Sequence, residues 1–374
     1  LELLYTFKTS TICLHIHILR MEISSAFHSI GYDVDGVWGK IKSFQPADNN
    51  HSTRVLCAIH GKSPPPTSHS KKLKIKGKKV QYEDDLGSHF LKFEGVVQSD
   101  QLNSYLQLRQ TVALSVLRGR DFAFLAYGEA GSGKEQALTG ADTGLLGGLL
   151  DQIDHFGSTK YGLQVSIKLT ALEVFCGEAT DLLSNRRLYL QQEQADSGWT
   201  SQADPCDDEC MTKISLDSAA DLGPVLSKID VRLSELESQR SDWASQPTRR
   251  DSHVIYTLHL ASYNQKQKPS TTNSKITLIK LAGSQGRLQS SSIRWMVDLS
   301  ESLEELWCTI MTSKTKHLKR QRADSLGEYH PLISSLKKLL KKRDIVLSLI
   351  CCVTPYDTIE TLRTLKYGCS LASS

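Results

Sequence analysis

The segment Phe122-Ala-Phe-Leu-Ala-Tyr-Gly-Glu-Ala-Gly-Ser-Gly-Lys-Glu135 carries residue types that could handle phosphate. Gly128, Gly131 and Gly133 let backbone N–H groups curl around a phosphate chain, and Lys134 adds a mobile positive charge. The apolar run from Phe122 to Ala126 reads as a buried strand leading in, and helix-forming residues follow the lysine. That is the strand–GxxxxGK[ST]–helix setting of a phosphate-binding loop. The hydroxyl that should follow the lysine and hold Mg²⁺ is absent, because position 135 is glutamate. The pattern predicts a nucleotide site that lacks one of its metal ligands.

Other candidate chemistry is thinner. Nine cysteines are scattered along the chain, several of them inside apolar runs such as Leu349-Ile-Cys-Cys-Val353, where a free thiol behaves as a small core residue. Cys206 and Cys210, with Asp204, Asp207 and Asp208 nearby, have metal-like spacing but no second pair, so they read as loop residues rather than a zinc site. An odd number of scattered cysteines favours a reducing, intracellular setting. Lys71-Lys-Leu-Lys-Ile-Lys76 with Gly77-Lys-Lys79 alternates charge and apolar side chains. It reads as an edge strand guarded by lysines, with a nucleic-acid patch as the alternative.

The elements that must position these residues follow from periodicity. Strands are expected at Arg54–Ile59, Phe122–Ala126, Leu163–Phe175, Val254–Ser262, Ile276–Ile279 and Ile345–Val353. Helices are expected over Leu106–Leu117, Gly144–Ile153, Ala219–Leu236 with Pro224 in its first turn, and Thr358–Leu371. Gln191–Asp208 and 314–324 read as loops. Strands alternating with helices argue for an α/β layered domain around a central, mostly parallel mixed sheet.

Length and composition set outer bounds. A chain of 374 residues, 39% hydrophobic and 23% charged, suits one large α/β domain or two smaller ones. A net charge of +4 is too small to imply a polyanionic partner. No apolar run reaches the roughly 18 residues a membrane span requires. Ile12–Leu19 is short, broken by histidines and without a small-residue cleavage site, so it reads poorly as a signal peptide. The chain begins with Leu1 and its first methionine is Met21, so residues 1–20 read as a fragment edge or a gene-prediction artefact. The expected division is an extension over 1–53 and a domain over 54–374.

Further blocks follow the loop in order. They are Leu172-Glu-Val-Phe-Cys-Gly-Glu-Ala-Thr-Asp-Leu-Leu183, Ser252-His253 with the strand behind it, and Leu281-Ala-Gly-Ser284. Then come Leu299-Ser-Glu-Ser-Leu303, His330 to Leu340, Cys351-Cys-Val-Thr-Pro355 and Glu360 to Tyr367. Over residues 54–374 these resemble a kinesin motor domain. The loop is similar to that family's FAYGQTGSGK, and Leu172–Leu183 to its "LEIYNEQVRDLL" strand and helix. Ser252-His253 looks like the end of the first switch motif, SSRSH, and Leu281–Ser284 like the second, DLAGSE. The resemblance implies a kinesin-like P-loop NTPase fold, a central mixed sheet flanked by helices. It also implies ATP or ADP held by Gly128, Glu129, Ala130, Gly131, Ser132, Gly133, Lys134, Glu135 and Gly283.

The polar positions depart from the family. Where the family holds Mg²⁺ with a loop hydroxyl, a first-switch serine and a second-switch aspartate, this chain has Glu135, Arg250 and Lys280. The arginine and glutamate that close the site around the γ-phosphate correspond to Asp251 and Gln285, and the "RxRP" adenine contact falls on Ala58, His60 and Gly61. A carboxylate about 5 Å from phosphate oxygens, at an effective dielectric near 20, costs roughly 3 kcal/mol per unit charge. Nucleotide is therefore expected to bind weakly, the Mg²⁺ site to be degraded and hydrolysis to be weak or absent. Glu135 and Lys280 are expected to face each other and pair.

The resemblance also implies a microtubule partner. The corresponding region here carries Lys314, Lys316, Lys319, Arg320 and Arg322, then Lys337, Lys338, Lys341, Lys342 and Arg343, a basic surface suited to acidic tubulin. A cytoplasmic, cytoskeletal location follows, with no membrane span, no nucleic-acid partner, and a heteromeric partner or cargo outside this chain. The expected function is microtubule binding with a degenerate ATP site. The alternatives are an active ATP-driven motor, and an interaction scaffold binding neither nucleotide nor tubulin. The chain ends at Ser374, past the last family-like helix, with no recognisable neck linker, stalk or tail.

Overall fold

The computed structural model describes residues 52–59, 73–84, 87–98, 105–140, 144–161, 163–176, 178–188, 210–240, 252–263, 271–283, 306, 310, 331–341, 345–356 and 358–373. The chain divides into two compact units, Leu1–Pro46 and Ala47–Ser374, and every described residue belongs to the second.

Thirteen strands are described, in two sheets. The larger contains β1 (Ser52–Ile59), β5 (Gly95–Gln98), β6 (Phe122–Tyr127), β7 (Gln164–Phe175), β8 (Glu178–Asp181), β9 (Arg186–Leu188), β10 (Ile214–Leu216), β11 (His253–Tyr263), β12 (Thr271–Lys280) and β13 (Val346–Val353). Its order is β5-β1-β13-β6-β12-β11-β7-β8-β9, with β10 paired to β7. The smaller sheet runs β2 (Lys74–Lys76), β3 (Lys79–Asp84), β4 (Gly87–Lys92).

The large sheet is mixed, as expected, but not mostly parallel. From β5 to β12 neighbours run parallel, and from β12 to β9 they run antiparallel. A helix lies in the chain between β5 and β6 and another before β13, whereas β11 and β12 follow one another among the described elements and lie antiparallel.

Period-two alternation sends side chains to two cores. In β6, Phe122, Phe124 and Ala126 enter one apolar cluster, and Ala123, Leu125 and Tyr127 enter the other. The first cluster is closed by α1 (Leu106–Val116), α2 (Lys134–Thr139), α3 (Leu145–Asp154) and α4 (Leu222–Gln239), whose buried residues include Val112, Leu138, Leu149 and Ile229. The second is closed by α5 (Pro331–Lys341) and α6 (Ile359–Ser373), through Leu332, Leu336 and Leu365. With both faces covered, β6 and β13 are buried along their whole length and read as continuous apolar runs.

Two expectations need correction. Leu172–Leu183 is not a strand and a helix: after Cys176, at φ 50°, the chain turns back and Glu178–Asp181 pairs antiparallel with β7. The Asp181 carboxylate then accepts bonds from the N–H groups of Leu183, Ser184 and Thr212, which holds a turn where a helix was expected. The lysine run does give an edge strand, β2 at the margin of the smaller sheet, but Gly77 at φ +60° ends it and turns Lys79 into β3. Pro224 does fall in the first turn of α4, where its missing N–H costs nothing. No described helix is long and apolar enough to cross a membrane.

Candidate functional site

The site lies where the carboxyl ends of β6, β12 and β13 meet the amino end of β11. Parallel pairing sets the ends of β6, β12 and β13 level, with Lys280 beside Ala126 and Cys351 beside Tyr127. Antiparallel pairing brings Val254, one residue into β11, beside Lys280. Crevices outside the carboxyl ends of strands are where open α/β sheets bind ligands.

β6 runs into the glycine loop 128–133. A Cβ on Gly128 would stand 2.0 Å from the carbonyl oxygen of Cys352, so only glycine allows the loop to lie on β13. Gly131 and Gly133 hold φ of +79° and +83°, in the left-handed region, and Gly133 caps α2. The Lys134 ammonium is buried and turns back into the loop, donating to the carbonyls of Gly128 at 2.8 Å and Glu129 at 2.6 Å. Glu129 is itself buried. The Ser132 hydroxyl is buried without a hydrogen-bond partner among the described residues.

Glu135 and Lys280 face each other at the mouth of the loop, with Lys280 Nζ 3.9 Å from Glu135 Oε2. The lysine side chain is 7% exposed and the glutamate 46%. No group of three or more His, Cys, Asp or Glu residues among those described could hold a metal ion.

The segments on either side are tied to the loop. The Leu281 N–H donates to the Ala126 carbonyl at 3.1 Å, continuing the β6–β12 pairing past the strand end. Gly283 lies against Ala130, where a Cβ would stand 3.1 Å from both the Ala130 nitrogen and its Cβ. The Ala282 N–H donates to Nδ1 of buried His253 at 3.1 Å, so Nδ1 carries no proton and the ring joins the start of β11 to the end of β12. Behind the site, Arg240 at the end of α4 makes a bidentate pair with buried Glu173, at 3.0 and 2.8 Å, and its guanidinium stacks 4.0 Å from the centre of the Phe175 ring.

The kinesin motor domain family matches residues 40–373. The chain belongs to the kinesin motor-domain family. Kinesin-like protein KIF1C of Rattus norvegicus is 23% identical over 288 residues, covering 72% of this chain and 25% of its own length. Kinesin-like protein KIN-14M of Arabidopsis thaliana is 27% identical over 251 residues, covering 60% of this chain and 31% of its own. The chain thus spans about a quarter to a third of these kinesin-like proteins. The motor domain of the Saccharomyces cerevisiae kinesin-related protein KAR3 superposes with a TM-score of 0.66 at 18% identity, over 86% of this chain and 99% of that one. The likeness at that identity is one of fold.

Within this kinesin fold, Gly128 to Glu135, Lys280 and Gly283 come together at the carboxyl ends of the central strands. Ala58 stands apart as a fully buried side chain of β1. His60, Gly61, Arg250, Asp251 and Gln285 lie outside the described residues, as do Lys314, Lys316, Lys319, Arg320, Arg322, Lys342 and Arg343. Lys337 and Lys338 are partly exposed on α5, and Lys341 ends that helix. Sequence reasoning missed the Glu173–Arg240 pair and the acceptor role of His253. A glutamate inside the apolar run Leu172–Phe175 was the available signal for the first, since an acid buried there needs a cation.

Proposed function

We propose that this domain is a microtubule-binding member of the kinesin family whose nucleotide site is degraded, binding ATP or ADP weakly and hydrolysing Mg-ATP poorly or not at all. The observation that carries this reading is the 3.9 Å approach of Lys280 to Glu135. Mg²⁺ is held by carboxylate, hydroxyl and water oxygens in octahedral geometry. An ammonium beside the metal's place repels it, so these residues do not fit Mg²⁺.

Charge around the loop supports the same reading. Lys134 and Lys280 stand against Glu129 and Glu135, so the cations that would meet a triphosphate already have acids beside them in sequence or space. Lys134 must also leave two carbonyls before it can reach a phosphate. The loop's turn, the Gly283–Ala130 packing and the His253–Ala282 bond serve the fold whether or not nucleotide binds.

The filament-binding part rests on the family and on the basic residues of α5, where Lys337 and Lys338 reach solvent. Such a domain would act at the cytoskeleton, with a second chain supplying any ATP-driven step. The test is co-sedimentation with microtubules at low and moderate salt, alongside labelled-ADP binding with and without Mg²⁺. The reading requires pelleting that weakens with salt and ADP binding that Mg²⁺ does not strengthen. No pelleting at low salt, or tight Mg²⁺-dependent ADP binding, overturns the corresponding half.

A further inference from the structure

The β2–β3–β4 sheet presents one face to the core and one to solvent. Ile75, Val80 and Leu91 are cross-strand neighbours, and all three belong to or pack against the second apolar cluster. One position along, Lys76, Lys79 and Lys92 are direct neighbours across the three strands, and all are exposed. Like charges placed opposite one another destabilise a sheet. Among the described residues, Lys78, Lys79 and Lys92 enter no ion pair, and the Lys76 ammonium lies 5.4 Å from the centre of the Phe90 ring.

The next row on that face is Lys74, Gln81 and Phe90. Phe90 is 50% exposed, one of few large apolar side chains left in solvent among the described residues. Gln81 is buried, donates through Nε2 to Ser88 Oγ at 3.3 Å, and leaves Oε1 without a partner. The face therefore combines a repelling row of cations, a half-exposed aromatic ring and an unsatisfied acceptor.

We propose that this face docks an acidic peptide, a glutamate-rich extended segment of a partner protein. Strands lie about 4.8 Å apart, so the three ammonium stems span about 10 Å, within reach of carboxylates on alternate residues of an extended chain. Opposite charges remove the repulsion in the lysine row, and Phe90 offers the segment an apolar contact. A peptide N–H supplies the donor that Gln81 Oε1 lacks, the Phe90 ring beside it being the group that moves. A phosphodiester backbone has no such donor. Residues 74–92 also contain no arginine, the side chain favoured for phosphate, and expose one aromatic ring rather than a stacking series. The proposal is independent of the reading of the nucleotide site.

The experiment is fluorescence anisotropy of a labelled oligoglutamate peptide against the whole chain at low and physiological salt. The triple variant Lys76→Gln/Lys79→Gln/Lys92→Gln is compared with Lys168→Gln/Lys228→Gln, which removes exposed lysines elsewhere. The expected result is salt-sensitive binding, weakened at least about tenfold in the triple variant and hardly in the control. The triple variant should melt no lower than the parent, because the repulsion in the row is relieved. Three results overturn the proposal: no oligoglutamate binding at low salt, equal loss in both variants, or tighter binding of a single-stranded oligonucleotide or anionic vesicles. Self-association of the triple variant from a parent that binds no peptide would assign the lysines to guarding the sheet edge and also overturn it.

Discussion

The Lys280 ammonium at the end of β12 stands 3.9 Å from the Glu135 carboxylate in the first turn of α2. The two side chains carry opposite charge, one buried and one nearly half exposed. The pair joins the start of α2 to the end of β12. Glutamate in a first helical turn also suits the helix dipole, so the substitution costs α2 nothing.

Reverting the pair should reopen the site. Glu135→Thr combined with Lys280→Asp removes a phosphate-repelling carboxylate and the cation in the metal's place. Affinity for ADP should become dependent on Mg²⁺ and rise on the order of tenfold or more in its presence, because the variant offers a hydroxyl and a carboxylate where an ammonium repels the metal. Isothermal titration calorimetry checks this, and no gain in the double variant would count against the role given to the pair. Lys280→Met alone should cost less than about 1 kcal/mol of stability, because the Glu135 carboxylate it leaves behind is nearly half exposed.

The Glu173–Arg240 pair should behave differently, being enclosed. Arg240→Ala strands an acid that is 2% exposed and removes the stacking on Phe175, so urea denaturation should register a loss of about 3 kcal/mol or more. Glu173→Leu with Arg240→Leu should cost less than Arg240→Ala, which a double-mutant cycle measures. Equal or additive losses would show that the two residues do not act as a pair.

Gly128→Ala should destabilise the fold by about 3 kcal/mol whether or not nucleotide is present, because its Cβ would collide with the Cys352 carbonyl. Gly133→Ala should cost about 1–2 kcal/mol for its left-handed backbone. Thermal melting of the two variants tests both values, and wild-type stability for Gly128→Ala would contradict the packing described.

Alkaline pH should weaken the fold through buried thiols. Burial raises Cys57, with Cys352 adding to the shift, raises Cys351 well above its ordinary range, and pushes Cys352 up from 9.0 to about 12. Well below pH 9 these thiols are protonated in both the folded and unfolded chain, so they leave stability unchanged. From there towards pH 12 only the unfolded chain ionises Cys352, and stability falls by up to about 1.4 kcal/mol per pH unit for each such thiol. Urea midpoints at about pH 8 and about pH 10 should show the fall, and Cys352→Ala should reduce its slope.

Much of this fold was legible in the sequence because its strands are either wholly apolar or cleanly alternating. Phe122–Ala126, Val254–Ser262 and Ile345–Val353 became β6, β11 and β13 within a residue or two. The turn after Asp181 was not legible, since it depends on that carboxylate gathering N–H groups from as far away as Thr212. The antiparallel half of the sheet was equally hidden, because pairing direction depends on connections that periodicity does not encode. At the site, glycine spacing disclosed the loop. The inward turn of Lys134 onto two carbonyls depends on three-dimensional geometry and left no mark in the sequence.

The central claim is most directly tested by ATP turnover with Mg²⁺, measured with and without microtubules under conditions where the chain co-sediments with them. The prediction is no microtubule-stimulated turnover in the parent chain, at least about a hundredfold below an ordinary enzyme rate of roughly 10 per second. Mg²⁺-dependent, microtubule-stimulated hydrolysis near that ordinary rate would contradict it.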